Sequence, residues 1–382
     1  MDIAVAHKDY DVRGGGEFLA EESARTFNCP MWVGNHDPER CNATDIDIHE
    51  IDKSRVAEWA IERGGPLRSL AYLDTWQRVP ELADYETVIT SGNEPLWYVP
   101  PDEQTVLAYI HSPPRYQYDL FQASSGRFQK LYSLAVRVIF DHNMRRPDYF
   151  VANSDLVKRR ICRYFDIDPE RVDVVYPPVE TDAFSPNDAP DQDYYVHVGR
   201  LSENKALDEV IRVFNETGRE LRIAGRGPQR ERLEEMANEN VVFEGYVSQT
   251  RKEELLSGAR AFVFNGHNED FGMAPVEAMA AGTPVVGVRE GFTQFQVMDR
   301  QNHRFETEEN WNGVTYERGS LRAALEWFED EGVRWSADEI ATWANDHFSV
   351  GQFRQGLRDA VEAARNRSDT TPEWSEPQKT TL

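Results

Sequence analysis

The sequence predicts an α/β protein built from two doubly wound domains, and two observations carry this prediction. First, short apolar runs alternate with helical patterns along the chain, and runs without polar alternation are typical of parallel strands buried on both faces. Second, a length of 382 residues exceeds what one hydrophobic core usually serves. The runs lie at 2–6, 87–90, 105–111, 149–153 and 172–176 in the first half, and at 194–198, 221–224, 241–243, 261–265 and 284–288 in the second.

A polar segment rich in Pro and Asp, at 177–193, is the predicted boundary between the halves. It gives a first domain at 1–176, a linker at 177–193 and a second domain at 194–345. We expect a helix at 346–366 that crosses back to the first domain, and a disordered tail at 367–382, which is polar with two prolines. Because ligands of α/β proteins bind at the carboxyl ends of strands, we expect the functional residues to lie just after strands.

The charge balance limits the classes of partner. The chain has 42 basic and 67 acidic residues, a formal charge of −25, and only 7 of the basic residues are lysine. This excess of acid counts against nonspecific nucleic-acid binding. Many acids with few lysines is a composition suited to high salt, where the Debye length falls to about 3 Å near 1 M. A halophilic cytoplasm is therefore one hypothesis, and an ordinary acidic enzyme is the alternative.

Cysteine content and hydropathy bear on the compartment. The three cysteines, Cys29, Cys41 and Cys162, have no metal-ligand spacing, which indicates free thiols in a reducing compartment. The N-terminal residues have neither the basic nor the apolar region of a secretory signal, and no stretch approaches 18 consecutive apolar residues. We therefore expect a cytoplasmic protein, soluble or peripheral on the cytoplasmic membrane face.

Two loops in the second half have the residue types of a diphosphate site. The strand YYVHV is followed by Gly199 and Arg200, and Lys205 comes just before a predicted helix. Two cations at a helix N-terminus suit a diphosphate, although each alone is as easily a solvated surface residue. The next strand ends in the glycine-rich loop GRG at 225–227, which is equally consistent with a simple turn.

The most informative segment is AFVFNGHNEDFGMAPVEAMAAGTPVV at 261–286. A strand ends near residue 265, and Glu269 follows in a loop, whereas Glu277 falls in the first turns of the next helix. The backbone N–H groups of Phe271, Gly272 and Met273 would face an anion there. The two carboxylates are then left to bind sugar hydroxyls. The simpler alternatives are a solvated loop acid for Glu269 and an acid favoured by the helix dipole for Glu277.

This segment resembles the retaining family 4 glycosyltransferases of GT-B fold, whose hallmark is two glutamates separated by seven residues. Glu269 and Glu277 match that spacing, and VGRLSENK at 198–205 resembles the diphosphate loop of the family. The resemblance implies two Rossmann-like domains facing across a cleft that closes on the substrate, bringing His111 toward Glu269. It also implies retention of the anomeric configuration, with Glu269 on the donor sugar and Glu277 on the nucleotide ribose.

The first half adds acceptor-side features. The loop GGGE at 14–17 follows the first strand, and its glycines are expected to permit a tight turn and close approach of a ligand. Family members carry a Gly-Gly loop here, which implies donor contacts for Gly15 and Gly16. YIHSPPRYQYD at 109–119 resembles the branch that includes O-antigen-type mannosyltransferases. This implies that His111 orients the donor sugar or reaction centre, and that Arg115 and Tyr116 shape the acceptor pocket or simply pack the loop.

A basic segment stands out from the acidic chain. Between residues 128 and 165 there are eight basic and three acidic residues, and part of the segment is amphipathic. It suits an anionic membrane surface or, equally, pairing with the protein's own acids. The family resemblance favours the membrane, because relatives often act on lipid-linked acceptors. The basic residues are Lys130, Arg137, Arg145, Arg146, Lys158, Arg159, Arg160 and Arg163.

The predicted function is transfer of mannose or another hexose from a nucleotide-diphosphate sugar, with GDP-mannose favoured, to a lipid-linked or other glycan acceptor. No metal or other cofactor is expected, and no protein base, because in the family the leaving phosphate accepts the proton. One departure from the family is Gln294, where relatives commonly have Glu, in the segment VREGFTQFQVMD. Two alternatives stay open: a non-catalytic nucleotide-sugar-binding partner of another transferase, and a sugar-nucleotide epimerase or phosphorylase of similar architecture.

Overall fold

A computed structural model describes residues 2–118, 127–187, 193–299 and 311–368, and its strands form two separate parallel sheets. The first sheet has the strand order β3-β2-β1-β4-β5-β6-β7 and the second has the order β10-β9-β8-β11-β12-β13. The strands of the first sheet are β1 (Ile3–His7), β2 (Met31–Val33), β3 (Ile48–Glu50), β4 (Thr87–Ser91), β5 (Thr105–Ile110), β6 (Tyr149–Ala152) and β7 (Val172–Val174). Those of the second are β8 (Tyr194–Val198), β9 (Glu220–Ala224), β10 (Val241–Gly245), β11 (Ala261–Phe264), β12 (Val285–Val288) and β13 (Gly313–Tyr316).

Helices connect the strands, so both sheets are of the doubly wound α/β type predicted from the sequence. Those before the second sheet are α1 (Gly15–Phe27), α2 (Arg55–Arg63), α3 (Gly65–Trp76), α4 (Arg127–Asn143) and α5 (Asp155–Phe165). The later ones are α6 (Leu207–Thr217), α7 (Arg230–Met236), α8 (Gln249–Ser257), α9 (Met273–Ala280), α10 (Thr293–Gln296), α11 (Leu321–Glu331), α12 (Ala337–Phe348) and α13 (Val350–Ser368). Among the described residues, none of these helices has the length and apolar content needed to cross a lipid bilayer.

Each predicted apolar run corresponds to a strand, and the central strands are buried on both faces. In the second sheet, Val196, Phe262 and Val285 enter one core cluster. Their neighbours Tyr195 and Val263 enter the cluster on the other face. Alternate residues of one strand therefore pack against opposite layers of helices, which leaves no position along the strand for a polar alternation.

Both sheets have the topology that creates a ligand crevice. In each, the strand order reverses direction between the first strand and the strand next to it, β1 beside β4 and β8 beside β11. Connections leave the sheet on opposite sides at such a point, so a crevice opens outside the carboxyl ends of the two strands. In the first sheet the register sets His7 of β1 directly beside Ser91 of β4.

The chain divides into two compact units, and neither is one continuous half of the sequence. The first unit takes the described residues of Met1–Asn153, Val157–Val175 and Arg354–Leu382, and the second takes Ser154–Leu156 and those of Tyr176–Phe353. The expected helix at 346–366 corresponds to α13, which from Arg354 onward belongs to the first unit. There the Arg354 guanidinium donates to Glu22 Oε2 at 2.6 and 2.9 Å. Residues 369–382 of the predicted tail lie outside the described residues.

The predicted linker at 177–193 is not a free connection over its described part. Val179 and Phe184 are buried in the core of the second unit, and Val179 forms a parallel bridge with Ser349. The segment was predicted to be a linker because it is rich in Pro and Asp. It also contains these two apolar residues, whose burial stabilises the fold. Residues 188–192 lie outside the described residues. The three cysteines carry free thiols.

Candidate active site

The first predicted diphosphate loop meets the loop of Glu269 at the crevice of the second sheet. The loop after β8 carries Asn204 and Lys205, and the loop after β11 carries Glu269. Lys205 Nζ lies 2.8 Å from Glu269 Oε1, and Asn204 Nδ2 donates to the same oxygen at 3.2 Å. The lysine and glutamate side chains are only 17% and 19% exposed. The carboxylate is thus held in one orientation by two loops that are separated by more than 60 residues in sequence.

A polar network beneath this pair fixes the first loop. The buried amide of Asn265, at the end of β11, donates at 3.0 Å both to the carbonyl oxygen of Ala206 and to Glu209 Oε2. Ala206 has the left-handed φ of 48°, which is costly for a residue with a Cβ and persists only when its surroundings hold it. Arg318 continues the network by binding both Glu209 and Glu290. The sequence analysis identified none of these supporting residues, although Asn265 stands at a predicted strand end.

The glycine-rich loop at 225–227 packs against the loop after β8. A Cβ on Gly225 would lie 1.8 Å from the carbonyl oxygen of Gly199, and one on Gly227 would lie 2.1 Å from that of Leu201. Glycine is required here for contact between two backbones. Arg226 is exposed and lies over the ring of Tyr246 at 4.9 Å, and Pro228 precedes α7, which begins at Arg230.

Arg200 occupies an exposed position after β8. Within the described ranges, its guanidinium makes no hydrogen bond or ion pair. It differs in this from Lys205, whose ammonium group is engaged by Glu269. The two cations predicted to act together therefore have different environments.

The helix α9 begins where the sequence placed it. Gly272 is its N-cap with a φ of 81°, and Met273 is its first residue, so the first N–H groups of the helix lack intrahelical acceptors. The Phe271 side chain points into the core, stacked on Phe292 with ring centroids 5.6 Å apart. Any ligand contact by Phe271 is consequently limited to its backbone.

The second glutamate of the motif has its own partner. Glu277 Oε1 lies 2.9 Å from Nζ of Lys252, which is on α8, and both side chains are 19% exposed. Glu269 and Glu277 are thus each neutralised by a different lysine. Lys252 was missed by the sequence analysis, and the one available signal was its rarity, because the chain has 7 lysines.

The segment around Gln294, where the sequence departs from the family pattern, contacts the backbone of Glu269. Gly291 has a φ of 59°, and a Cβ there would lie 2.3 Å from the carbonyl oxygen of Glu269. Phe292 N donates to that same oxygen at 2.9 Å. Gln294 Nε2 donates to the carbonyl oxygen of Gly291 at 3.0 Å, which closes its own loop. This segment therefore positions the backbone of Glu269, with Gln294 as part of the turn.

In the first unit, His111 lies at the end of β5 as predicted, and it is joined to side chains that the sequence analysis did not single out. Its Nε2 lies 2.8 Å from Ser91 Oγ, which in turn lies 3.1 Å from His7 Nδ1. Burial lowers the pKa of His111 to about 3, with help from the neighbouring His7 and Lys8. The imidazole is thus neutral, and Asn153 Nδ2 anchors its backbone carbonyl at 2.7 Å.

The triple glycine forms a helix start rather than the expected tight turn. Gly14 is the N-cap of α1 with the extended φ of −141°, and Gly15 and Gly16 begin the helix without positive φ. A Cβ on Gly16 would come within 3.7 Å of His111 Cε1, an ordinary contact distance. The structure thus brings Gly16 to His111, although the turn conformation predicted for the glycines is wrong.

The rest of the first-half motif is only partly described. Arg115 lies in a short 3-10 helix at Arg115–Gln117, directly after the two prolines, and the Tyr116 side chain lies outside the described part. Among the described residues, no group of three His, Cys, Asp or Glu side chains converges as a metal site would require.

Two family models match successive parts of this chain. Residues 27–183 match Glycosyltransferase Family 4, and residues 179–315 match Glycosyl transferases group 1. The D-inositol 3-phosphate glycosyltransferase 2 of Catenulispora acidiphila is 31% identical over 189 residues, which cover 42% of this chain and 44% of that protein. The alpha-1,3/1,6-mannosyltransferase ALG2 of Kluyveromyces lactis is 23% identical over 283 residues, covering 59% and 55% respectively. The chain spans about half the length of the curated relatives it matches.

The fold is shared with solved structures. Anabaena HepE in complex with UDP-glucose is similar with a TM-score of 0.69 and 14% identity, over 95% of this chain and 100% of that one. At this identity the likeness shows the fold alone, and with the domain matches it confirms the predicted GT-B class with two Rossmann-like sheets. The chain is therefore similar to Glycosyltransferase Family 4 in its first part and to Glycosyl transferases group 1 in its second part.

Proposed function

We propose that this protein is a retaining hexosyltransferase that moves a sugar from a nucleotide-diphosphate donor to a hydroxyl of a glycan acceptor. The observation that carries the proposal is the Glu269 carboxylate, fixed by Lys205 and Asn204 at the crevice between β8 and β11. A carboxylate held in this way accepts hydrogen bonds from sugar hydroxyls. The lysine beside it offers a positive charge to a phosphate of the same ligand.

The proposed reaction needs stabilisation of a leaving diphosphate more than it needs a protein base. The bond between the anomeric carbon and the phosphate oxygen breaks, and the acceptor oxygen forms its new bond to that carbon on the same face. The acceptor's proton passes to the departing phosphate. Arg200, Lys205 and the first N–H groups of α9 would stabilise the charge that grows on the diphosphate.

The proposed function also assigns roles to the other residues predicted from the sequence. Glu277 would accept hydrogen bonds from the nucleotide ribose, and Lys252 would hold its carboxylate in place. In the first unit, His111 would bind a substrate hydroxyl, and the backbone of Gly15 and Gly16 would bind substrate hydroxyls or phosphate.

Truncation of Glu269 tests the proposal. Glu269→Ala should lower kcat/KM for sugar transfer at least about 100-fold, the size of effect seen when one preorganised electrostatic contact is removed. Glu331→Gln, on an exposed position at the end of α11, is the matched control and should keep full activity. Transfer at the parental rate by the Glu269→Ala protein would contradict the proposal. Interconversion of sugar nucleotides without transfer would instead indicate an epimerase.

For the donor, we propose GDP-mannose, on the resemblance to the mannosyltransferase branch and the match to a mannosyltransferase. The likeness to a UDP-glucose complex makes UDP-hexoses the competing class. A panel of GDP- and UDP-linked hexoses, read by release of the nucleoside diphosphate with a lipid-phosphate sugar acceptor, would separate the two. Turnover with UDP-hexoses alone would overturn the choice of GDP-mannose.

For the acceptor, we propose a lipid-linked glycan in surface-glycan or protein-glycosylation assembly, reached through the basic segment Lys130–Arg163 on an anionic membrane. The exposed side chains of Leu134 and Val138 lie one helical turn apart on α4, and Arg145 and Arg163 are exposed. Other basic residues face inward: Arg160 is 8% exposed, and Lys158 donates to a backbone carbonyl. The membrane-facing charge is therefore smaller than the sequence count suggests.

Liposome flotation tests this contact. Arg145→Glu combined with Arg163→Glu should reduce binding to vesicles containing phosphatidylglycerol, since each basic residue near an anionic surface contributes about 1 kcal/mol. The matched control is Arg55→Glu with Arg358→Glu, which makes the same charge change at two exposed positions elsewhere in the first unit. Equal flotation of both double variants would contradict a role for the basic segment.

A further inference from the structure

Four side chains in the first unit form a row that ends at His111. Glu17 Oε1 lies 3.7 Å from His7 Nε2, and His7 Nδ1 lies 3.1 Å from Ser91 Oγ. Ser91 Oγ lies 2.8 Å from His111 Nε2. The row draws on α1, β1, β4 and the end of β5, and the side chains of His7 and Ser91 are fully buried.

The hydrogen-bonding capacity of these groups gives the row a direction. A Ser hydroxyl has one hydrogen, so between two ring nitrogens it donates to one and accepts from the other. The ionised Glu17 carboxylate faces His7 Nε2 at 3.7 Å, which is longer than a hydrogen bond, but its negative charge favours an N–H over a lone pair on the facing nitrogen. When Nε2 carries the one hydrogen of the two ring nitrogens, the lone pair lies on Nδ1 and accepts from Ser91. Ser91 in turn accepts from Nε2 of His111, which leaves the lone pair of His111 on Nδ1.

The Glu17 carboxylate at the start of the row is stabilised in its ionised form. Burial acts to raise the pKa of Glu17, but the facing His7, its own backbone N–H and Lys8 outweigh it and lower the pKa to about 2. Lys8 Nζ lies 3.7 Å from the same oxygen that faces His7. Glu17 is therefore an acceptor at any pH near neutrality, and the buried hydroxyl of Ser91 is kept from solvent that would otherwise reorient it.

The far end of the row lies beside a glycine of α1. Gly16 is next to the His111 ring, and a Cβ there would be 3.9 Å from Nδ1 and 3.7 Å from Cε1. At this position α1 therefore places no side chain against the ring edge. An outward lone pair on a neutral imidazole is complementary to a hydroxyl donor and unsuited to a phosphate oxygen.

We propose that Glu17, His7 and Ser91 are positioning residues that hold His111 as the Nε2–H tautomer, so that Nδ1 accepts a hydrogen bond from a substrate hydroxyl. The tautomer itself is independent of the proposed transfer reaction. Only the identification of the hydroxyl as one on a sugar rests on the proposed function. His111 thus selects neutral hydroxyls in the first unit, whereas Lys205 and Arg200 in the second unit suit the anionic part of the ligand.

Nitrogen-15 NMR of histidine-labelled protein near neutral pH tests the inference without turnover. The His111 signals, assigned with His111→Gln, should show a protonated Nε2 and an unprotonated Nδ1. Ser91→Ala should abolish this preference, since it removes the group that accepts from Nε2. Ser112→Ala, whose hydroxyl bonds to the Pro113 carbonyl in the adjacent loop, should leave the tautomer unchanged.

Glu17→Gln is a second variant in case Ser91→Ala does not fold. Its amide can donate as well as accept, so the direction of the row is released and the tautomer should become mixed. With an active donor and acceptor, Ser91→Ala should lower kcat/KM about tenfold, as expected when a polar group is left unpaired. A protonated Nδ1 on His111 in the parent protein, or a tautomer unchanged in both variants, would overturn the inference. A correct tautomer in a protein without transferase activity would refute the proposed function alone.

Discussion

The candidate groups of the two units differ in how they are held. In the first unit, His7 and Ser91 lie within strands, are fully buried, and form a hydrogen-bonded row to His111. In the second unit, Lys205, Glu269, Lys252 and Glu277 belong to loops and helices beyond the strands, are about one-fifth exposed, and form charge pairs. In the proposed function, the first unit would bind neutral polar groups of the substrate and the second unit its charged part.

The difference extends to the whole charge of each unit. Counted over the full sequence ranges of the two units, the second has 17 basic and 34 acidic residues, a net charge of −17, and the first has 25 and 33, a net charge of −8. The unit proposed to bind a diphosphate is therefore the more acidic one. Binding an anion there depends on local cations and helix N–H groups, because the average charge opposes it.

Replacing one glycine in each unit by alanine should give the largest difference in unfolding free energy between the units. Gly225→Ala would place a Cβ 1.8 Å from the Gly199 carbonyl oxygen at a φ of 141°, so we expect a loss of about 4 kcal/mol in unfolding free energy. Gly16→Ala meets ordinary contact distances in an ordinary helical conformation and should change stability by less than about 1 kcal/mol. Urea unfolding of both variants measures this, and equal losses would contradict the view that Gly225 is required for a backbone contact and Gly16 is not.

Acid should destabilise both units, through His111 in the first and His197 in the second. Burial lowers the pKa of His111 to about 3 and that of His197 to about 4, whereas an unfolded histidine titrates near about 6.5. Between these values the unfolded chain binds protons that the native state does not. Stability is thus complete above pH 6.5 and falls as the pH drops. At pH 5.5 each histidine accounts for about 1.4 kcal/mol, or about 3 kcal/mol together, relative to pH 7.5.

Single variants apportion that loss between the units. His197→Gln keeps a donor for the Val263 carbonyl, which His197 Nδ1 contacts at 2.9 Å, and it should remove about half of the pH dependence. His111→Gln should remove the other half, and His142→Gln, at an exposed position on α4, should remove none. Urea midpoints at the two pH values measure these differences. An unchanged dependence in both buried variants would refute the assignment.

The strand positions could be predicted from sequence because burial on both faces leaves a continuous apolar run. β2, β3 and β13 were not predicted, and each is short: β3 is Ile-His-Glu, of which one residue is apolar. These strands lie toward or at the edges of their sheets, where the sequence needs less apolar content. Without β2, β3 and β13, the strand order that creates the two crevices could not be derived.

The site was predictable where residues follow a strand and not where they depend on pairing. His111, Lys205 and Glu269 were found because they stand just beyond apolar runs. Lys252 was not found, since it is 25 residues from Glu277. Ser91 also stands just beyond an apolar run, but its role depends on a partner, His7, that is 84 residues away. Such pairings follow from sheet register and helix packing, which local patterns do not encode. The tight turn predicted for the glycines at 14–16 was wrong for a related reason. Glycine content alone does not distinguish a turn from the first turn of a helix.

Salt should sharpen the comparison through the unequal charge of the units. Raising KCl from 0.1 to 2 M shortens the Debye length from about 10 Å to below 3 Å and weakens self-repulsion, which is greater in the unit of charge −17. Amide hydrogen exchange should slow more in β8, β9 and β11 than in β1, β4 and β5, by about 1 kcal/mol in opening free energy, the size of one charge–charge interaction in water. Sucrose at matched viscosity is the control and should slow exchange in both sheets alike. Equal slowing by salt would show that local ion pairs, such as Arg219 with Glu329, and not net charge, set the stability of the second unit.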